Sequence, residues 1–137
     1  MKKTVLMMVA LAFVVYGFAQ EAKPEAKANG PVLTFEKNTH DFGDIYQNDK
    51  VEHIFKFTNT GNEPLLISNV YGTCGCTAPE WPRQPIHPGA KGEIKVRFDS
   101  TGKMGRQNKT VTVISNASND DATISFVTNI LSKTPQH

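Results

Sequence analysis

Cysteine is almost absent. The 137-residue chain has two, Cys74 and Cys76, with Gly75 between them. That is too few for a small domain stapled by several disulfides, or for a four-ligand structural zinc site, since no second cysteine pair or closely spaced histidine pair completes the set. Tryptophan occurs once, as Trp81. An excess of one charge is missing as well. If Lys2 and Lys3 leave with an N-terminal signal, the 15 basic residues fall to 13, equal to the 13 acidic ones. Lys91, Lys95 and Arg97 stand among Ile94, Val96 and Phe98 as a solvated strand face and form no basic patch, so nucleic acid is not an expected partner. Beyond the N-terminus no apolar period of 3.6 residues occurs, which argues against a helical fold, and no repeat at a solenoid period is present. There is no glycine-rich phosphate loop and no serine, histidine and aspartate grouping that favours hydrolysis. The chain is expected to be non-enzymatic and to need no cofactor.

One long apolar run is present, Thr4 to Val15. It follows Met1-Lys2-Lys3 and precedes Gly17 and Ala19. A basic start, an apolar stretch and small residues at a cleavage point describe an export signal, residues 1–19. The run is shorter than the ~20 residues that cross a bilayer, and no cysteine follows it to carry a lipid. The expected product is exported to the periplasm or the cell surface, with no transmembrane span after cleavage. Residues 20–31, rich in Glu, Ala, Lys and Pro, read as a flexible linker. Residues 32–131 read as one folded domain of ~100 residues, large enough to bury a core, and 132–137 as a tail.

Within the domain the period is two. Val51, His53, Phe55 and Phe57 alternate with Glu52, Ile54, Lys56 and Thr58, and Ile94, Val96 and Phe98 alternate with Lys95 and Arg97. Val32–Glu36, Phe42–Tyr46, Pro64–Tyr71, Lys109–Ser115 and Ala122–Leu131 add further strand-like runs. Asp41-Phe42-Gly43 spells a kinase metal-binding triplet without the rest of that machinery, and a glycine there marks a bulge instead. Asn59-Thr60-Gly61-Asn62 supplies turn residues that tolerate positive φ. Four prolines between Ala78 and Ala90 deny that stretch a regular ladder, and Pro88-Gly89 closes it with a turn. About seven short strands separated by turn signals predict an all-β, immunoglobulin-like antiparallel β-sandwich.

Cys-Gly-Cys is the chemically unusual element. Residues i and i+2 of a strand share a face, with Cα atoms about 6.5 Å apart, at the far edge of disulfide geometry. Gly75 would permit a bend that closes the gap. The expected arrangements are a Cys74–Cys76 disulfide, two packed thiols, interchain disulfides, or ligation of a soft metal. Copper(I) accepts two sulfur ligands with Met or His as a third, and His40, His53, His87 and Met104 are the candidate helpers. His53, in line with Val51 and Phe55, reads first as a partly buried, hydrogen-bonded histidine. A thioredoxin-like site fits less well: such sites place Cys-x-x-Cys at a helix N-terminus, and here a proline-rich loop follows. Tyr71 and Trp81 flank the cysteines and are the candidate interaction surface, aromatics being enriched at interface hot spots.

The ordered set Phe57-Thr58-Asn59-Thr60-Gly61, Pro64-Leu65-Leu66-Ile67, Cys74-Gly75-Cys76-Thr77, Pro88-Gly89, Ile94-Lys95-Val96-Arg97-Phe98-Asp99 and Ser115-Asn116 resembles a bacterial exported family, the domain of unknown function numbered fifteen-seventy-three. That family is itself similar to Hydin-type and major-sperm-protein-type immunoglobulin-like sandwiches. The resemblance implies a fold and an export route, and no activity. The expected function is an interaction or structural module of the bacterial envelope with a protein partner. The alternative is a thiol-redox or copper-binding protein built on Cys74 and Cys76, which needs at least one accessible sulfur.

Overall fold

Eight strands follow one another in the computed structural model, which describes residues 29–119 and 122–133. They are β1 (Leu33–Phe35), β2 (Thr39–Tyr46), β3 (Lys50–Asn59), β4 (Ile67–Gly72), β5 (Thr77–Glu80), β6 (Lys91–Asp99), β7 (Gly105–Ser115) and β8 (Ala122–Leu131). The expected signal, most of the linker and most of the tail lie outside the described residues. Among the described residues no helix is long and apolar enough to cross a membrane.

The strands form two four-stranded sheets, ordered β1-β3-β6-β5 and β2-β8-β7-β4. The expected all-β sandwich is therefore the observed fold. Two details go beyond the sequence reading. The β2–β8 pair runs parallel, while the other pairs are antiparallel. And β5 runs into the proline-rich stretch, where the sequence predicts no regular ladder: Pro79 stands opposite Val96 of β6. The reason is position. β5 ends its sheet, and an edge strand accommodates a residue with no N–H to give. After Glu80 the chain is irregular apart from a bridge between Leu65 and Ile86.

The alternating residues do what their period requires. Phe55, Phe57, Ile94, Val96 and Phe98 from one sheet meet Val111, Val113, Ile124, Phe126 and Ile130 from the other in a single buried core. Phe98 and Phe126 touch edge to face at 5.2 Å between ring centroids. Phe57 lies over Gly92, where any Cβ would run into its ring. The glycine expected at a bulge is there: the β2–β8 register shifts between Asp41 and Asp44, Gly43 has φ 69°, and Thr128 Oγ1 donates to its carbonyl at 2.9 Å. His87 to Ala90 forms the expected Pro-Gly turn, with Gly89 at φ 79° and Ala90 N donating to His87 O at 2.9 Å.

The Asn59–Asn62 turn is built otherwise than expected. Neither Asn59 nor Gly61 has positive φ; Asn59 ends β3 fully buried, and Gly61 passes against the carbonyl of Gly30, where a Cβ has no room.

Candidate functional site

The Cys-Gly-Cys segment is the connection between β4, an edge of one sheet, and β5, an edge of the other. It is tied down on both sides by backbone bonds. Thr73 N donates to Thr110 O at 3.2 Å, Thr77 N to Cys74 O at 3.3 Å, and Asp99 N to Cys76 O at 3.0 Å. Gly72 lets the two edges approach, since a Cβ there would stand 2.8 Å from the Cβ of Thr77.

This bend brings Cys74 and Cys76 to 5.2 Å between Cα atoms, with the sulfurs at bonding distance. The spacing lies within disulfide geometry rather than at its edge. Gly75 is not what permits it. Its φ lies outside the left-handed region, and a Cβ built on it would meet nothing within 4 Å. Both cysteines are half-buried, so neither is sealed inside the core. The buried Thr77 places Oγ1 3.9 Å from Cys74 Sγ and 4.0 Å from Cys76 Sγ. On the outer side an open depression of about 300 Å³ is lined by Cys76, Gly75, Ala78, Phe98, Lys50, Arg97 and Asp99. Asp99 Oδ1 accepts from the Thr101 hydroxyl at 2.6 Å and from Thr101 N at 3.0 Å, and these bonds hold its carboxyl below the ordinary range.

The candidate metal helpers do not gather at the cysteines. His40 of β2 stacks on His53 of β3, with 3.6 Å between centroids and 9° between planes. His53 is partly buried, as expected, but it makes no side-chain hydrogen bond among the described residues. It is held by rings instead, packing edge-on to Phe55 at 4.8 Å. Burial, and then the charges of His40 and Lys37, lower its pKa. His87 is exposed in the β5–β6 connection and Met104 in the β6–β7 connection. Among the described residues no group of three or more His, Cys, Asp and Glu side chains could hold a metal ion.

Tyr71 and Trp81 fall on different surfaces. Tyr71, 49% exposed, stands on the outer face of β4. Trp81, past the far end of β5, packs partly against the core, with its Nε1 buried and the Arg83 guanidinium 3.9 Å above its ring.

A feature missed from sequence is the contrast between the two outer faces. The β3–β6 face carries Glu52, Lys56, Glu93, Lys95 and Arg97, the last donating from Nε to Glu52 at 3.2 Å. The β4–β7–β8 face presents Ser68, Asn69 and Tyr71, then Asn108, Thr110, Thr112 and Ile114, then Thr123, Ser125 and Val127, with no charge among them; Arg106 of β7 and Asp41 and Asp44 of β2 bring charge only at the far end of that sheet. Leu66, just before β4, is 43% exposed and Ile114 is 41% exposed. Ile114 stands opposite Asn69, two residues from Tyr71, and Leu66 is bonded to Asn116, two residues from Ile114. The three therefore form an apolar row at the β4 corner. The signal is legible in principle, as the alternate positions Asn108 to Ile114 and Thr123 to Val127, which hold no charged residue.

A family model described as "Protein of unknown function (DUF1573)" matches residues 33–130. No curated protein matches the chain. Among solved structures, a protein of unknown function from Porphyromonas gingivalis W83 is similar at 16% identity and a TM-score of 0.64, covering 75% of this chain and 48% of that one. The ASH/PapD-like domain 7 of human CEP192 is similar at 8% identity and a TM-score of 0.58, covering 74% and 87%. The secreted serine protease VesC from Vibrio cholerae is similar at 15% identity and a TM-score of 0.57, covering 76% and 24%. The chain thus spans about half the length of the Porphyromonas protein and about a quarter of the protease. At these identities the likeness is one of fold.

Proposed function

From the premise that the chain belongs to this family of unknown function, we propose that it is an exported, non-enzymatic β-sandwich module that docks a protein partner on the outer face of β4, β7 and β8. Fold and family carry no activity of their own, so the reading rests on the surface. One observation supports it above the rest. The molecule carries charge along the β3–β6 face and leaves the β4 end of the other face uncharged, with Leu66, Ile114 and Tyr71 in a row at its corner, while Arg106, Asp41 and Asp44 stand at the opposite end of that face. Depletion of charge around exposed aromatic and aliphatic side chains is the composition of an interface core.

Addition of a partner strand fits less well. The β4 edge is broken by a register shift between Ile67 and Asn69, β5 is four residues long and contains Pro79, and β2 carries the Gly43 bulge. Such features blunt an edge against pairing. The partner is therefore expected to meet the face rather than extend the sheet, and to bring an uncharged, partly apolar surface.

The test is photo-crosslinking in cells, with the reactive residue at Thr112 on the uncharged face or at Glu93 on the charged one. A discrete adduct from position 112, absent from position 93 and lost when Ile114→Lys is added, supports the reading. Equal labelling from both faces, or an adduct indifferent to Ile114→Lys, sinks it. An adduct at twice the chain's own mass would identify a second copy as the partner.

A further inference from the structure

We propose that the Cys74–Cys76 bond is an exchange site for a small or peptidyl thiol, in which Cys76 is the sulfur attacked, Cys74 the sulfur expelled, and the Thr77 hydroxyl the donor to the expelled thiolate. The inference is independent of the docking face, and four observations carry it.

The first is access. Cys76, and not Cys74, lines the open depression beside Phe98, with about 300 Å³ of room. That is space for a cysteine side chain and its neighbouring backbone. The second is Gly75. Neither its φ nor any crowding requires glycine, and Gly75 lines the same depression, with open space where a side chain would stand. The third is Thr77. Its hydroxyl lies 3.9 Å from Cys74 Sγ and 4.0 Å from Cys76 Sγ, and it has no other hydrogen-bond partner among the described residues. A hydroxyl at that position can turn its proton toward whichever sulfur becomes charged. The fourth is the frame. The bonds of Thr73, Thr77 and Asp99 hold the β4–β5 connection without help from the sulfurs, so cleavage leaves Cys74 beside Cys76.

An incoming thiolate forms a bond to Cys76 Sγ, the Cys74–Cys76 bond breaks, and its electron pair leaves on Cys74 Sγ, which then takes a proton from water. A second thiolate attacking the outer sulfur of the mixed disulfide frees Cys76. Two thiols are oxidised to one disulfide, and the protein disulfide is reduced to a dithiol. The rim does not select by charge. Lys50 stands opposite Asp99 in the β3–β6 register, and Arg97 is paired with Glu52. Access and size decide, so peptidyl thiols qualify along with small ones.

The experiment uses the full chain as exported, treated with glutathione and quenched rapidly with N-ethylmaleimide, followed by intact mass and fragmentation. The expected product carries one glutathione on Cys76 and one maleimide on Cys74. Thr77→Val should slow its formation about fivefold, the loss of roughly one ordinary hydrogen bond, and Thr77→Ser should restore the rate. Thermal unfolding of each variant confirms that the rate is read on folded protein, and the position of the adduct in the unsubstituted chain needs no variant. Glutathione found on Cys74, no adduct at all, two maleimides incorporated before any thiol is added, or a Thr77→Val rate equal to that of the unsubstituted chain would each overturn the proposal. Ile114→Lys should leave the exchange rate unchanged, so loss of the docking face and loss of exchange are read separately.

Discussion

Asn59 is fully buried, and both ends of its side-chain amide are in use. Nδ2 donates to Glu63 O at 2.7 Å and to Ile86 O at 2.9 Å, while Oδ1 accepts from Gly61 N at 3.0 Å and Val32 N at 3.2 Å. One side chain thus joins the start of the domain, the β3–β4 connection and the proline-rich β5–β6 connection. Asn59→Leu strips these buried backbone groups of their partner, and the expected cost is about 3 kcal/mol in urea unfolding. A cost below 1 kcal/mol, roughly one ordinary hydrogen bond, would show that water replaces the amide. The glycines beside the cysteines make a second contrast. Gly72→Ala sets a Cβ 2.8 Å from that of Thr77 and should cost about 1–3 kcal/mol. Gly75→Ala meets nothing within 4 Å and should stay within about 0.5 kcal/mol. Urea midpoints of the two variants, measured together, check the ordering. Residue type misleads at this scale: Asn59 reads as a turn residue and Gly75 as the permissive one, yet Asn59 is buried and Gly75 is unconstrained. Residue type reports what a position tolerates, whereas burial and close approach belong to the assembled fold.

At the scale of elements, the period of two marks the middle of β3 and β6, because a half-buried strand must alternate, but it passes over β5 and leaves the starts of β2, β4 and β7 displaced. It could not give their partners. Nothing local in β2 announces a parallel match with β8, and nothing in Thr77–Glu80 announces that Pro79 sits on an edge. The β2–β3 seam follows from that pairing. It brings His40 onto His53, ringed by Phe42 and Phe55. Burial first, then the cationic forms of His40 and Lys37, hold His53 below its ordinary value of 6.5. The folded chain therefore binds fewer protons than the unfolded chain as pH falls through that value. The stability linked to His53 is complete above pH 6.5 and is lost as pH falls from there through the depressed folded value. The thermal midpoint of the unsubstituted chain should fall between about pH 7.5 and 5 by more than that of His53→Phe, which keeps the ring packing and removes the titration. Parallel curves for the two proteins would mean that the stacked pair contributes nothing to the pH dependence.

For the whole molecule the question is what holds the two sheets together. The buried cluster running from Phe55 and Phe98 to Phe126 and Ile130 spans both sheets, and the cysteine connection lies at its border, with Cys76 only partly buried against it. A bond closed over one intervening residue removes little freedom from the unfolded chain: extrapolated to so short a loop, the closure relation gives about 1.5 kcal/mol. Burying one Phe side chain gives about 1.5–3 kcal/mol, so the core outweighs the bond several times over. Replacing both cysteines with serine should therefore leave one cooperative transition, with the midpoint lowered by less than about 10 °C for a domain of this size. The outer surface of β4–β7–β8 should be unaltered, and the Thr112 crosslink should survive. Loss of cooperative unfolding in the double-serine chain would make the cysteine connection the keystone between the β4 and β5 edges, and it would remove the reason for treating that bond as free to exchange. Retained cooperativity together with a retained crosslink would separate the two surfaces: one whose geometry serves docking, and one whose sulfurs can be spent without unfolding the frame that carries them.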